Sequence, residues 1–133
     1  MMKRALLLAP IAALSLTACS GEVDSANRPS RVPAATVVGD AQSCIPISQI
    51  RGSRVHDNYT IDFNTGSKTY RNILPHSCPG LGSEQAFTYE TSLSQLCNTD
   101  IIYVLRRIGG DYQRGAGCGL GSFVPVELEK KAG

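Results

Sequence analysis

Cysteine and histidine are the residue types in this sequence with the most chemistry to offer. The chain has five cysteines and two histidines in 133 residues. The first cysteine, Cys19, follows a positively charged start (residues 3–4) and an apolar run (residues 5–18), and small residues come directly before it. A charged start, an apolar stretch too short to span a bilayer and a small-residue cleavage point are typical of an export signal. We therefore interpret residues 1–18 as a signal peptide.

The cleavage point also predicts a modification. Leu16-Thr17-Ala18-Cys19 resembles the lipobox of bacterial lipoproteins, in which the cysteine thiol receives diacylglycerol and becomes the new N-terminus. Two acyl chains hold a protein stably at a membrane, whereas one chain does so only marginally. We expect lipidation of Cys19, and Ser20 favours sorting to the periplasmic side of the outer membrane. An ordinary signal followed by an unmodified cysteine is the alternative.

Once Cys19 is lipidated, an even set of cysteines remains: Cys44, Cys78, Cys97 and Cys118. In an oxidising compartment this predicts two disulfides. No Cys-x-x-Cys is present, which argues against thioredoxin-like chemistry and against a zinc knuckle. We favour Cys44–Cys118 with Cys78–Cys97, because the first bond would join the two ends of the domain. Cys44–Cys78 with Cys97–Cys118 is the runner-up.

His56 and His76 are the candidates for acid–base catalysis. His56 precedes Asp57, so a hydrolytic histidine–carboxylate pair is one interpretation. Both histidines fall among turn residues, which favours exposed turn and loop positions instead. The sequence has no Gly-x-Ser-x-Gly, His-Glu-x-x-His or dinucleotide-binding glycine motif. We therefore predict no catalytic residue, no cofactor and no metal ion.

Two further sets of side chains are candidate binding faces. Arginines that would suit an acidic glycan or a phosphate are Arg51, Arg54, Arg71, Arg106 and Arg107. Tyrosines that would stack on sugars are Tyr59, Tyr70, Tyr89 and Tyr103. Solvated strand faces and half-buried packing residues are the simpler interpretations of both sets.

The charge balance disfavours a nucleic-acid partner. The chain has 13 Lys and Arg residues against 11 Asp and Glu residues, and removal of Lys3 and Arg4 with the signal leaves 11 against 11. A neutral mature chain lacks the excess of basic residues that nucleic-acid binding needs. The same balance argues against adhesion to anionic lipid by charge alone.

The chain after Cys19 divides into three parts. Residues 19–43 are small, polar and proline-bearing, which predicts a flexible tether. Residues 44–128 contain short alternating segments separated by turn residues, which predicts β-strands. Within them we expect a hairpin loop at 64–67, a helical turn at 92–97, the most buried strand at 101–108 and a glycine-rich loop at 109–121. Residues 129–133 form a tail.

Short strands without a long helix predict an all-β domain. We expect a small antiparallel β-barrel, OB-like, of five to six strands stapled by two disulfides. A bond joining the first and last strands would suit a closed barrel. A small two-layer β-sandwich is the alternative.

The order of motifs from Cys44 to Pro125 is similar to that of a known family. Its most specific pieces are Cys78-Pro79-Gly80-Leu81 and the stretch CGLG at 118–121. The chain resembles a family of small cysteine-containing proteobacterial envelope proteins whose domain has no assigned function. The resemblance implies a location in the cell envelope and a similar spacing of cysteines, but it implies no catalytic residues.

These observations predict an outer-membrane-anchored periplasmic lipoprotein. We expect it to be a non-enzymatic binding or accessory module, held at the membrane through the lipid on Cys19, with an envelope protein or a glycan as its partner. A small hydrolase using a histidine–carboxylate pair is the first alternative, and a structural spacer is the second.

Overall fold

The structure, a computed structural model, describes residues 31–91 and 93–129, and β-strands dominate this part of the chain. The strands are β1 (Ala35–Val37), β2 (Cys44–Pro46), β3 (Gly52–Val55), β4 (Thr60–Asn64), β5 (Thr69–Ile73), β6 (Phe87–Tyr89), β7 (Gln95–Cys97), β8 (Ile101–Ile108), β9 (Asp111–Gly119) and β10 (Phe123–Leu128). A short helix, α1 (Leu81–Glu84), and a 3-10 helix (Ile47–Gln49) accompany them.

The predicted all-β antiparallel class is confirmed. Every pairing between these strands is antiparallel, and two disulfides are present. No helix within residues 31–91 and 93–129 is long and apolar enough to cross a membrane. The predicted signal peptide, Cys19, the first part of the tether and residues 130–133 of the tail lie outside the described residues.

The largest sheet has five strands in the order β1-β10-β5-β4-β3. β4 and β5 form the predicted hairpin, in which Gly66 has a φ of 93° and donates its N–H to Asn64 Oδ1 at 2.7 Å. Because side chains alternate across a strand, Ile61 and Phe63 of β4 join the core while Asp62 faces the opposite surface of the sheet. This alternation determines which side chains lie on the outer face of the sheet.

β1 extends this sheet at its edge. It pairs with β10 through Ala35, Thr36 and Val37, inside the stretch that was predicted to be a tether. β-branched residues at 36–38 suit an edge strand. The ordered part of the chain therefore begins earlier than residue 44.

The remaining strands form a three-stranded sheet, β6-β8-β9, and a two-stranded sheet, β2-β7. The prediction of a loop at 109–121 is wrong, because β9 occupies Asp111–Gly119. Gly109 and Gly110 have φ of 61° and 92°, and two consecutive positive φ values allow the two-residue turn of a tight hairpin. Further along β9, Gly117 leaves room for the Tyr103 ring, since a Cβ there would lie 3.0 Å from Tyr103 Cε1.

Three smaller expectations also need correction. The distal half of β8 is exposed, and β4 is instead the strand whose first four residues are buried. The predicted helical turn at 92–97 ends in strand β7, Gln95–Cys97. The start of the predicted β region is not a continuous strand, because β2 is followed by the 3-10 helix Ile47–Gln49.

The hydrophobic core lies between the five-stranded and three-stranded sheets. Phe63 of the larger sheet meets Phe87 of the smaller one edge-on, with ring centroids 6.0 Å apart, and it meets Phe123 at 5.5 Å. Edge-to-face aromatic pairs add about 0.5–1.5 kcal/mol each beyond the area that they bury. Ile102 and Val104 of β8 complete the core from the other side.

A buried amide fixes the chain that enters β10. Asn72, fully buried in β5, donates from Nδ2 to the Gly121 carbonyl at 2.7 Å and accepts from the Gly121 N–H at 2.8 Å. The Asn72 side chain thereby satisfies both backbone groups of Gly121, as a neighbouring strand would. A Cβ at residue 121 would overlap the Ile73 carbonyl oxygen, so only glycine fits there.

The disulfides pair Cys44 with Cys97 and Cys78 with Cys118, so both the favoured pairing and the runner-up are wrong. Cys44 and Cys97 lie directly opposite one another on β2 and β7, with Cα atoms 4.0 Å apart. The second bond joins the loop before α1 to β9. The expected Cys44–Cys118 bond is absent because Cys44 lies on β2, which pairs with β7, whereas Cys118 lies on β9 in the three-stranded sheet.

Candidate functional site

The surface of the five-stranded sheet that faces away from the core carries a line of charged side chains. Asp62 on β4 lies opposite Arg54 on β3 and opposite Arg71 on β5. Directly opposed residues on antiparallel strands point to the same face of a sheet. An acidic residue thus stands between two arginines across three adjacent strands.

A histidine completes the group that we call the polar cluster: His56, Asp62 and Arg71. Arg71 donates from Nε to Asp62 Oδ1 at 2.9 Å and from Nη2 to Asp62 Oδ2 at 3.0 Å. His56 Nε2 lies 2.8 Å from Asp62 Oδ2. His56 is 8% exposed and Asp62 is 6% exposed, so these contacts are largely shielded from water.

The electrostatics keep the Asp62 carboxyl ionised. Burial by itself raises the pKa of Asp62, but the hydrogen bonds and positive charge of Arg71 and His56 lower the pKa by more, and the net result is a pKa below the usual value of 3.8. The carboxylate therefore holds Arg71 and His56 in place as a fixed negative charge. It is not available as a free base.

The turn between β3 and β4 brings His56 and Asp62 together. Asp57 Oδ1 accepts hydrogen bonds from the Tyr59 N–H (2.8 Å) and the Thr60 N–H (2.7 Å), and the His56 N–H donates to the Thr60 carbonyl (3.0 Å). This side-chain turn reverses the chain within three residues. Asp57, the expected partner of His56, is thus committed to the backbone, and Asp62 takes its place.

A cleft of about 290 Å³ lies over the polar cluster, and we call it the sheet cleft. Its lining includes Arg54, His56, Asp62, Pro33 and Leu128. A neighbouring cleft of about 270 Å³ shares Pro33, Arg54 and His56, and it adds Arg31. The segment before β1 therefore passes close to the polar cluster.

Two cations at these clefts have no carboxylate partner within the described part of the chain. Arg31 and Arg54 form no ion pair there, whereas Arg71 is bound to Asp62. Arg71 neutralises the charge of Asp62. Arg31 and Arg54 therefore leave a net positive charge at the two clefts, next to the buried side chains of His56 and Asp62. A net positive charge in a cleft attracts anions.

The contact between His56 and Asp62 bears on the hydrolase alternative. Asp62 orients His56, as a carboxylate does in nucleophilic enzymes. In residues 31–91 and 93–129, however, no hydroxyl or thiol is hydrogen-bonded to the His56 ring. His76 is exposed and lies outside both clefts. No group of three or more His, Cys, Asp or Glu side chains among the described residues stands close enough to hold a metal ion.

The structure divides the candidates that the sequence had grouped. Arg54 and Arg71 lie on either side of Asp62 on the outer face of the five-stranded sheet, whereas Arg106 and Arg107 belong to β8 in the three-stranded sheet. The tyrosines do not share a face: Tyr70 is part of the core and Tyr59 is exposed.

The polar cluster was not predicted, because His56 falls among turn residues, which favour an exposed position, whereas it is buried in the structure. One signal could have found part of it. The predicted loop at 64–67 would oppose Asp62 to Thr69 rather than to Arg71, but this two-residue offset still puts Asp62 and Arg71 on the same face of the hairpin. Alternation along β4 then puts Asp62 on the face away from Phe63.

This chain is thus a disulfide-stapled antiparallel β domain with an arginine-lined cleft on the outer face of its largest sheet. In comparisons with known proteins, no family model, no curated protein and no solved structure matches the chain.

Proposed function

We propose that this chain is a lipid-anchored protein of the bacterial cell envelope whose β domain binds an anionic group, a carboxylate or a phosphate, in the sheet cleft without transforming it. The observation that carries the proposal is the position of Arg54. It stands opposite the neutralised Asp62, lines the sheet cleft, and has no ion-pair partner among the described residues.

The polar cluster supports anion binding because Arg71 neutralises Asp62 and Asp62 holds His56. A ligand in the sheet cleft therefore meets a compensated carboxylate and a histidine that is already ordered. Preorganised groups lose little conformational entropy on binding. Arg54 and Arg31 then supply the charge that the ligand neutralises.

The anchor rests on the sequence at residues 16–19 and on the resemblance to small proteobacterial envelope proteins. A lipid on Cys19 would hold the protein at the periplasmic side of the outer membrane, with the chain between residues 20 and 34 joining it to β1. Mass spectrometry of the mature N-terminus should find acylated Cys19. An N-terminus elsewhere, or an unmodified Cys19, contradicts the anchor but leaves the cleft untouched.

The OB-like barrel stays a prediction. Among the described strands, no hydrogen-bonded ladder joins the five-stranded sheet to the three-stranded one. The shared core between those two sheets supports the alternative, a two-layer sandwich. Either arrangement would leave the outer face of the larger sheet open as a binding platform.

The anion site can be tested by titrating the protein with inorganic phosphate and with acetate while recording the NMR signals of His56 and Arg54. Arg54→Gln should weaken binding about tenfold or more, because a hydrogen bond to a charged group contributes about 1.5–3 kcal/mol. The matched control is Arg51→Gln, which removes the same charge from an exposed residue outside both clefts. Equal affinity in the two variants would overturn the site.

The 2.8 Å contact between His56 and Asp62 favours a second candidate, the small hydrolase. That candidate requires a nucleophile or a bound water beside the His56 ring. Turnover of a nitrophenyl ester that disappears in His56→Gln, in a variant with unchanged thermal stability, would establish it. Hydrolysis that survives in His56→Gln rules it out.

A further inference from the structure

The outer face of the five-stranded sheet is divided into a charged half and an aliphatic half. Strand register places Val124 opposite Arg71, Val126 opposite Thr69, and Val37 opposite Val126. Ala35 lies opposite Leu128 on the same face. We call Ala35, Val37, Val124, Val126 and Leu128 the aliphatic stripe.

The aliphatic stripe is not part of the hydrophobic core. Val126 is buried, yet it does not belong to the cluster of core residues between the sheets. Val37 is 62% exposed and Leu128 is 46% exposed. Adjacent aliphatic side chains that remain open on a small domain indicate a binding surface more often than isolated ones do.

The charged and aliphatic halves meet at the sheet cleft. Arg54 and His56 line it, and so do Leu128 and Pro33. Arg71 of the polar cluster is the direct cross-strand neighbour of Val124 in the stripe. A ligand whose anionic group lies at Arg54 would therefore have apolar surface within reach of the rest of the molecule.

We infer that the sheet cleft binds an anionic amphiphile, a molecule with a carboxylate or phosphate head and a single acyl chain. This rests on the proposed anion site and adds the apolar part of the ligand. Charge complementarity selects the head, because Arg54 and Arg31 have no acidic partner among the described residues. The aliphatic stripe selects the acyl chain of the ligand, because an aliphatic surface beside a cationic one matches both ends of such a molecule.

The size of the cleft limits the ligand. Its volume of about 290 Å³ is at the small end of ligand sites, which span about 300–1,000 Å³. This volume suits the head and the first methylenes. The remainder of a longer chain would lie along the aliphatic stripe.

The test measures affinity as a function of chain length with acetate, hexanoate and octanoate, below the concentrations at which they form micelles. Each added methylene should raise the affinity by up to about fourfold, the equivalent of about 0.8 kcal/mol for a fully buried CH₂. Leu128→Gln should lower octanoate affinity by about fivefold to tenfold and acetate affinity by much less, because acetate has no acyl chain to contact Leu128. Leu93→Gln is the matched control, because Leu93 is an exposed leucine outside both clefts.

The outcomes separate this inference from the anion site on which it rests. Affinity that does not change with chain length overturns the amphiphile and leaves the anion site intact. Binding that grows with chain length but ignores both Arg54→Gln and Leu128→Gln is nonspecific and overturns both. A dimer that Leu128→Gln dissociates would identify the stripe as a contact between two copies of the chain, which also overturns the amphiphile.

Discussion

At the scale of single residues, Asp62 is the group on which the candidate site depends. Its two carboxylate oxygens receive three contacts, two from Arg71 and one from His56. Two side chains that carry or can carry positive charge are thus held by one buried anion. Removal of the Asp62 charge would leave Arg71 and His56 without this partner. Breaking a shielded ion pair in this way lowers the free energy of unfolding by more than formation of the pair raises it.

Asp62→Asn should lower the free energy of unfolding by about 3 kcal/mol at neutral pH, because it preserves the shape of the side chain and removes the charge. The lowered pKa of Asp62 also fixes the pH dependence. An acid whose folded pKa is lowered contributes stability above its unfolded value, near 3.8, and loses this contribution as the pH falls through the folded pKa.

Urea unfolding of both proteins over a range of pH measures this effect. The difference in the free energy of unfolding between the unsubstituted protein and Asp62→Asn should be largest at neutral pH and should decrease as the solution is acidified. Asp40→Asn, at an exposed aspartate outside the polar cluster, serves as the control and should change stability by less than about 0.5 kcal/mol. A difference that stays constant with pH would contradict the role of the Asp62 charge.

At the scale of elements, the hairpin of β8 and β9 shows how the same glycines can indicate a loop or a strand. Gly109 and Gly110 form the turn, while Gly115 and Gly117 lie within β9. The strand register shifts between Tyr103 and Leu105, which marks a bulge on β9. Glycine in a strand often accompanies a bulge or the close approach of a neighbour, and here it accompanies both.

Gly110→Val should loosen the end of this hairpin, because a β-branched residue at a φ of 92° is strained by about 1–2 kcal/mol. Hydrogen exchange of the amides in the halves of β8 and β9 next to this turn measures the change. Gly119→Val is the control, since no atom lies within 4 Å of a Cβ there and its φ is not positive. Equal exchange in the two variants would show that the turn does not set the stability of the hairpin.

At the scale of the whole molecule, the sequence predicted local structure better than long-range contacts. Alternation identified the strands around Phe63 and Tyr70, and Gly66 identified the hairpin between them. The pairing of β10 with β5 and β1 could not be predicted in this way, because it joins residues about 50 and about 90 positions apart. The disulfides were mispaired for the same reason, since their geometry follows from sheet topology.

The carboxylate partner of His56 could not be predicted from the sequence for a similar reason. His56 and Asp57 are adjacent in the sequence, so the expected carboxylate partner was the nearest one. The observed partner, Asp62, contacts His56 because the chain reverses between β3 and β4 and because alternation along β4 places Asp62 on the outer face of the sheet. The burial of a histidine cannot be read from residue types alone.

The disulfide pairs of the whole molecule can be tested by peptide mapping without reduction, which should recover Cys44–Cys97 and Cys78–Cys118. Replacement of either bonded pair by alanines should lower the free energy of unfolding by about 4 kcal/mol, because each bond closes a long loop, with sequence separations of 53 and 40. Recovery of a Cys44–Cys118 peptide would contradict the pairing of Cys44 on β2 with Cys97 on β7.

The order of the paired cysteines has a consequence for how the protein is made. Cys78 lies inside the interval from Cys44 to Cys97, and its own partner, Cys118, lies beyond it, so the two covalent loops interleave. A chain that emerges from its N-terminus offers Cys44 and Cys78 to one another before either native partner appears. Oxidation in order of appearance would join the wrong pair. Maturation of this protein therefore requires either a delay until Cys118 has emerged or an activity that exchanges disulfides.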